Sequence, residues 1–100
     1  MARTFSGYRL SHAAEGDLQA IFAYTVRTWS LEQANRYLDE MEEALVGLAA
    51  GVRIGRGRSD IGPGYLVLIV GSHMVIYREV EAIFVVRILH AAMDAPRHLD

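Results

Sequence analysis

Residues 65–90 read YLVLIVGSHMVIYREVEAIFVVRILH, three apolar stretches separated by two short breaks. Gly71-Ser72 suits a two-residue hairpin turn, and Val80-Glu81 marks a second tight reversal. The stretch predicts three antiparallel strands, 65–70, 73–79 and 82–90, joined as a meander. An antiparallel sheet with one wet face alternates apolar and polar residues. Leu66-Val67-Leu68-Ile69-Val70, Val75-Ile76 and Ile83-Phe84-Val85-Val86 do not alternate. Both faces of this sheet therefore call for cover.

Upstream, the apolar period lengthens. Tyr8-Arg9-Leu10-Ser11 still alternates as a half-buried strand does. Ser11 then stands where a helix N-cap belongs, and Glu15 and Asp17 fall early in the helix, near its positive end. Leu18, Ile21, Phe22, Thr25 and Trp29 form one stripe at three- and four-residue spacing. Ser30 is the second N-cap, with Gln33 completing a capping box. Ala34, Tyr37, Leu38, Met41, Leu45 and Leu48 continue at helical spacing, and Gly51 is a C-terminal stop. Asp39, Glu40, Glu42 and Glu43 lie mainly off that stripe, as a solvated face. The gap at Ser30 is short enough that the helices fold back as an αα-hairpin. Residues 52–64 form a Gly- and Arg-rich loop, and the tail, 91–100, with Pro96, reads as irregular.

The hairpin covers one face of the sheet and leaves little chain for the other. That second face is expected to be a groove filled by another polypeptide. The alternative is a strongly curved sheet that wraps the hairpin and shields itself. With two-residue turns at both reversals, Leu66, Leu68, Val70, His73, Val75, Tyr77, Phe84, Val86, Ile88 and His90 share one face. Tyr65, Val67, Ile69, Met74, Ile76, Arg78, Ile83, Val85, Arg87 and Leu89 share the other. A single bulge inverts part of this assignment. The face with the polar tips of His73, Tyr77 and His90 is favoured as the open one.

The chain has 100 residues, 52% hydrophobic and 22% charged, which suits one folded domain spanning 1–100. It lacks cysteine, so disulfides and Cys-based metal sites are excluded. All ten basic residues are Arg, yet the formal net charge is −2. A generic nucleic-acid binder draws its affinity from phosphate neutralisation and needs a positive excess, so direct sequence-specific DNA binding is not expected. No leader is expected before the first strand, and the longest aliphatic run, Leu66–Val70, is too short to span a bilayer. A cytoplasmic protein with no membrane partner is expected.

Candidate chemistry is sparse. The four histidines (His12, His73, His90 and His98) show no metal-ligand spacing, and a zinc site needs three or four converging ligands. His73 and His90 are expected as diagonal neighbours lining a groove, and either could form an acid–base pair with Tyr77. Arg53, Arg56 and Arg58 make the densest basic patch, read either as a solvated loop or as a surface for acidic groups of a partner. The glycines around them do not make a phosphate loop, and no Gly-x-Ser-x-Gly nucleophile is present. No catalytic residue, metal or cofactor is expected.

Taken in order, several stretches resemble the ParE/RelE toxin superfamily, and its ParE branch in particular. They are Tyr8-Arg9-Leu10-Ser11 with Ala13-Ala14, Trp29 before the second helix with Gln33-Ala34, Arg53-Ile54-Gly55-Arg56, Pro63-Gly64-Tyr65, Gly71-Ser72-His73, Tyr77-Arg78, and Arg87-Ile88-Leu89-His90 with Met93-Asp94. The resemblance implies a RelE/ParE-like α+β fold, in which an N-terminal strand and an αα-hairpin pack on an antiparallel sheet completed by a C-terminal three-stranded meander. It also implies the toxin half of a type II toxin–antitoxin pair, one that inhibits DNA gyrase by protein–protein binding and is neutralised by a ParD-like antitoxin. Expected antitoxin- or target-binding residues are Arg53, Arg56, Arg58, Tyr65, Leu66, His73, Tyr77, Arg78, Arg87, His90 and Met93. The superfamily also admits a RelE-like ribosome-dependent mRNA endonuclease. Gly62 and Leu66 stand where family members often carry Arg, which admits a homologue that only binds antitoxin.

Overall fold

The computed structural model describes residues 4–99; the first three residues, read above as part of a leaderless start, and Asp100 lie outside them. The element order is β1 (Tyr8–Leu10), α1 (His12–Thr28), α2 (Leu31–Ala50), β2 (Arg56–Gly57), β3 (Leu66–Val70), β4 (His73–Glu79), β5 (Ile83–His90) and a 3₁₀ turn (Ala95–His98). Both helix starts are capped by the expected serines, although among the described residues the Gln33 side chain does not return a bond to Ser30, so the capping box is half formed. The Ser11 and Ser30 hydroxyls accept from the Ala14 and Gln33 amides, each at 3.0 Å. Gly51 ends α2 in the left-handed conformation, with φ 76°.

The sheet has five strands in the order β1-β5-β4-β3-β2. It is mixed rather than antiparallel throughout, because β1 pairs with β5 in parallel. The β3–β4 register, from Leu66↔Tyr77 to Val70↔His73, is that of a two-residue turn. The β4–β5 connection is longer than expected. Glu79 pairs with Ile83, leaving three residues in the loop, and a bulge near Ile76/Tyr77 leaves Val86 as the extra residue. Each change shifts parity by one. Below the bulge, Ile83 and Val85 share a face with Tyr77; above it the expected assignment returns, with Val75 opposite Ile88 and His73 directly opposite His90 rather than diagonal to it.

Polar groups from the β1–α1 segment hold the bulge. Ser11 Oγ donates to the Val86 carbonyl at 2.6 Å, and the Ser11 amide donates to the Val85 carbonyl at 2.9 Å. Two residues further on, the Asp17 carboxylate accepts from the Ile88 amide at 2.9 Å. Side chains at the start of α1 thus take over the edge of β5 where β1 stops.

The face expected to be open is the one the helices cover. Val70, Val75, Tyr77, Ile83, Val85 and Ile88 pack against Ala14, Met41, Ala44, Leu45 and Leu48 in the main core. The opposite face is closed over part of its area by the chain's own tail and loop. Val67, Met74, Ile76 and Leu89 are buried with Ala95, flanked by Leu99, Ile61 and Tyr65. The expected open face is thus covered by the helices, and the opposite face is covered only in part. Apolar surface is left bare on the hairpin, on the loop at Val52 and Ile54, and on the outer sheet face at Ile69. Trp29, expected on the buried stripe of α1, is 68% exposed, and Tyr24 is 60% exposed. Among the described residues no helix is long and apolar enough to cross a membrane.

Candidate functional site

A concavity of about 750 Å³ opens between the second half of α1, the start of α2, the β3–β4 turn and the tail. Ile21, Tyr24, Trp29 and Met93 give it an apolar lining, while Tyr37, His73, His90 and Arg87 give it a polar one. Its polar end is a linked set of rings. The Tyr37 hydroxyl lies 2.7 Å from His73 Nδ1 and 2.9 Å from the Val70 carbonyl, and accepts from the Ser72 amide at 3.2 Å. One arrangement satisfies all three contacts: His73 Nδ1–H donates to the Tyr37 oxygen, whose own proton goes to Val70. The His73 and His90 rings meet edge-on at 5.6 Å, and His90 Nδ1 accepts from the Ala92 amide at 3.1 Å. Burial, and then the nearby His90, push the His73 imidazole below its ordinary value, so it resists protonation. Burial raises the Tyr37 phenol, which therefore stays neutral.

Arg87 forms the cleft's other polar wall. Its guanidinium holds Asp17 with two bonds of 2.7 Å and donates to the His98 carbonyl at 2.8 Å. The Asp17 hydrogen bond leads the upward shift of the Arg87 pKa. This side chain ties α1, β5 and the tail together and has few donors left for a partner.

The structure divides the expected site residues. His73, Arg87, His90 and Met93 meet in the cleft. Tyr77 and Leu66 lie on the inner face, and Tyr77 is wholly buried, its hydroxyl accepting from the Gly55 amide at 2.8 Å. The acid–base pair of Tyr77 with a histidine is therefore not formed; Tyr37 is the tyrosine that meets His73. Arg53 lays its methylene stem over Gly47, where a Cβ would come within 2.7 Å of it. Arg58 is paired with Asp60 by two bonds of 2.8 Å. Tyr65 and Arg78 stack on the outer face, the guanidinium carbon 5.4 Å from the ring centre. Gly62 passes beneath that ring, and a Cβ there would approach it to 2.9 Å, so Arg in its place would displace Tyr65. Sequence reading missed Tyr37 and Trp29 as cleft residues because their helical spacing reads equally well as core, and it gave Tyr24, off the stripe, no role. Among the described residues no group of three His, Cys, Asp or Glu could hold a metal ion.

Comparison with known proteins matches residues 8–95 to the model of the ParE toxin of the type II toxin–antitoxin system parDE. The chain belongs to the ParE toxin family. It is 44% identical over 96 residues to Toxin ParE1 of Mycobacterium tuberculosis, covering 94% of this chain and 98% of that one. It is 35% identical over 92 residues to Toxin ParE1 of Caulobacter vibrioides, covering 92% and 96%. A solved structure titled as a chromosomal ParDE system from P. aeruginosa superposes with a TM-score of 0.71 at 23% identity, covering 84% of this chain and 94% of that one. The shared architecture is thus that of two helices on a five-stranded mixed sheet.

Proposed function

We propose that this ParE-family chain inhibits DNA gyrase by protein–protein binding, performs no chemistry of its own, acts in the cytoplasm, and is neutralised by a ParD-like antitoxin. The observation that carries this reading is kinship along nearly the whole chain with proteins named as ParE toxins. The antitoxin is assigned to the cleft. An apolar wall with Tyr24 and Trp29 exposed beside His73, His90 and Met93 fits an amphipathic helix laid into a groove. Arg53, packed on Gly47 near the end of α2, and Arg58, paired with Asp60 after β2, lie away from the cleft and are not assigned to it.

The test pairs two assays on one preparation. Purified chain is added to gyrase with plasmid DNA, and supercoiling and trapped cleaved DNA are measured. In parallel, mRNA ends are mapped after expression in cells. Gyrase inhibition without codon-positioned cuts is the expected result. Cuts in translated messages, or a folded chain inert toward gyrase, overturn the reading. For the antitoxin assignment, Trp29→Ala and Met93→Ala are expected to weaken antitoxin binding about tenfold or more each, read by titration calorimetry; unchanged affinity removes the cleft from the interface.

A further inference from the structure

The outer face of the sheet changes character along the strands. At the end carrying Met74 and Leu89 it is buried with Ala95 of the tail and flanked by the partly buried Leu99. At the other end the register sets one row across four strands. Arg9 of β1 pairs with Phe84 of β5, Phe84 pairs with Arg78 of β4, and Arg78 stacks on Tyr65, just before β3. Directly paired residues project to the same face, so cation and ring alternate along this row. Arg56 of β2 pairs with Val67 and so belongs to the same face. Arg9, Arg56 and Arg78 are exposed. Among the described residues none of the three has a carboxylate partner, whereas Arg36, Arg58, Arg87 and Arg97 do. In a chain of net charge −2, this is a local reversal of sign, with the acids Glu32, Asp39, Glu40, Glu42 and Glu43 carried on α2.

We propose that this row is a docking surface for an acidic amphipathic helix of a protein partner, separate from the cleft. Adjacent strands lie about 4.8 Å apart, so Arg9 and Arg78, two strands apart, are spaced by roughly 10 Å. Seven residues of α-helix rise about 10.5 Å. A helix crossing the strands can set carboxylates at i and i+7 on the two guanidiniums, an apolar residue at i+3 or i+4 on Phe84, and another at i+10 or i+11 on Tyr65. Bidentate Arg–carboxylate pairs give such a match geometric specificity. The row lies at the opposite end of β4 and β5 from His73 and His90, about 17 Å along the strand, so both surfaces can be filled at once. The inference does not depend on gyrase being the target or on the antitoxin filling the cleft.

The test uses the full chain and labelled 21-residue helical peptides with Glu at i and i+7 and Leu at i+3, i+4 and i+11, read by fluorescence anisotropy. The expected result is saturable binding that weakens about tenfold or more when both Glu are replaced by Gln, and again in Arg9→Glu or Arg78→Glu. Binding is unchanged in Arg36→Glu, on the helical side. A peptide with Lys at i and i+7 regains affinity for the Arg9→Glu/Arg78→Glu double variant. Circular dichroism checks the fold, and Arg9→Gln with Arg78→Gln replaces the reversals if they unfold. No binding of the Glu peptide, binding indifferent to Arg9 and Arg78, or a dT20 oligonucleotide that binds more tightly than the peptide and displaces it, overturns the proposal.

Discussion

The two faces of the sheet are closed by different means. The inner face is covered by two helices whose apolar side chains interlock with Val70, Val75, Tyr77, Ile83, Val85 and Ile88. The outer face is covered in part by a short tail and a loop, and its tail cover relies on one guanidinium, Arg87, that grips both Asp17 and the His98 carbonyl. The first closure is a packing problem spread over many contacts. The second is a small apolar patch fastened by a few directional bonds. Stability should therefore be diffuse on one side and concentrated on the other.

The sharpest way to break this contrast is at the inner face. Leu45→Ala, at a site 2% exposed, is expected to cost about 2–5 kcal/mol, read as a lowered urea midpoint. Arg87→Ala comes next. It leaves Asp17 partly buried without its partner and frees the tail, a loss of about 2–3 kcal/mol, with a rise in apolar-dye binding as Met74 and Leu89 are uncovered. If Arg87→Ala proves silent, the tail is held by its apolar contacts and not by the guanidinium. Leu99→Ser tests that apolar share; it should cost about 1 kcal/mol, the residue being only partly buried, with the dye response but little change in midpoint.

The smallest effect is set by pH at the cleft, beyond either face. His73 has its folded pKa below the ordinary 6.5. The unfolded chain therefore binds the extra proton first, and stability rises with pH across that interval. The contribution is complete above about pH 6.5 and is lost as pH falls from there through the folded value. His73→Gln should flatten the corresponding segment of a melting-temperature profile; an unaltered slope would show that His73 does not set it.

The same contrast separates what was legible in the residues from what was not. Both N-caps, the Gly51 stop, the helical hairpin and the three main strands are written in local signals, and they appear where those signals place them. The faces of β5 are not local. They depend on a three-residue loop after Glu79 and on an extra residue at Val86 that Ser11, on a distant segment, makes tolerable. The two errors cancel above the bulge, which is why Ile88 and His90 were placed correctly while Ile83 and Phe84 were exchanged. The tail gave no periodic signal, so its cover over Met74 and Leu89 could not be foreseen. Of the site, the histidines and Met93 were legible as polar or soft residues in awkward places. Tyr37 and Trp29 were hidden inside ordinary helical stripes, and Tyr24, off the stripe, carried no signal.

The parallel pairing of β1 with β5 has a consequence for the newborn chain. Ser11 and the carbonyl it binds are 75 residues apart, so the first strand waits for the last before it has a neighbour. Synthesis runs from the N-terminus, and a pairing this remote is slow to close. A ribosome must release nearly the whole polypeptide before either of the surfaces described above can assemble. A message cut short yields fragments with no complete sheet and with neither surface formed.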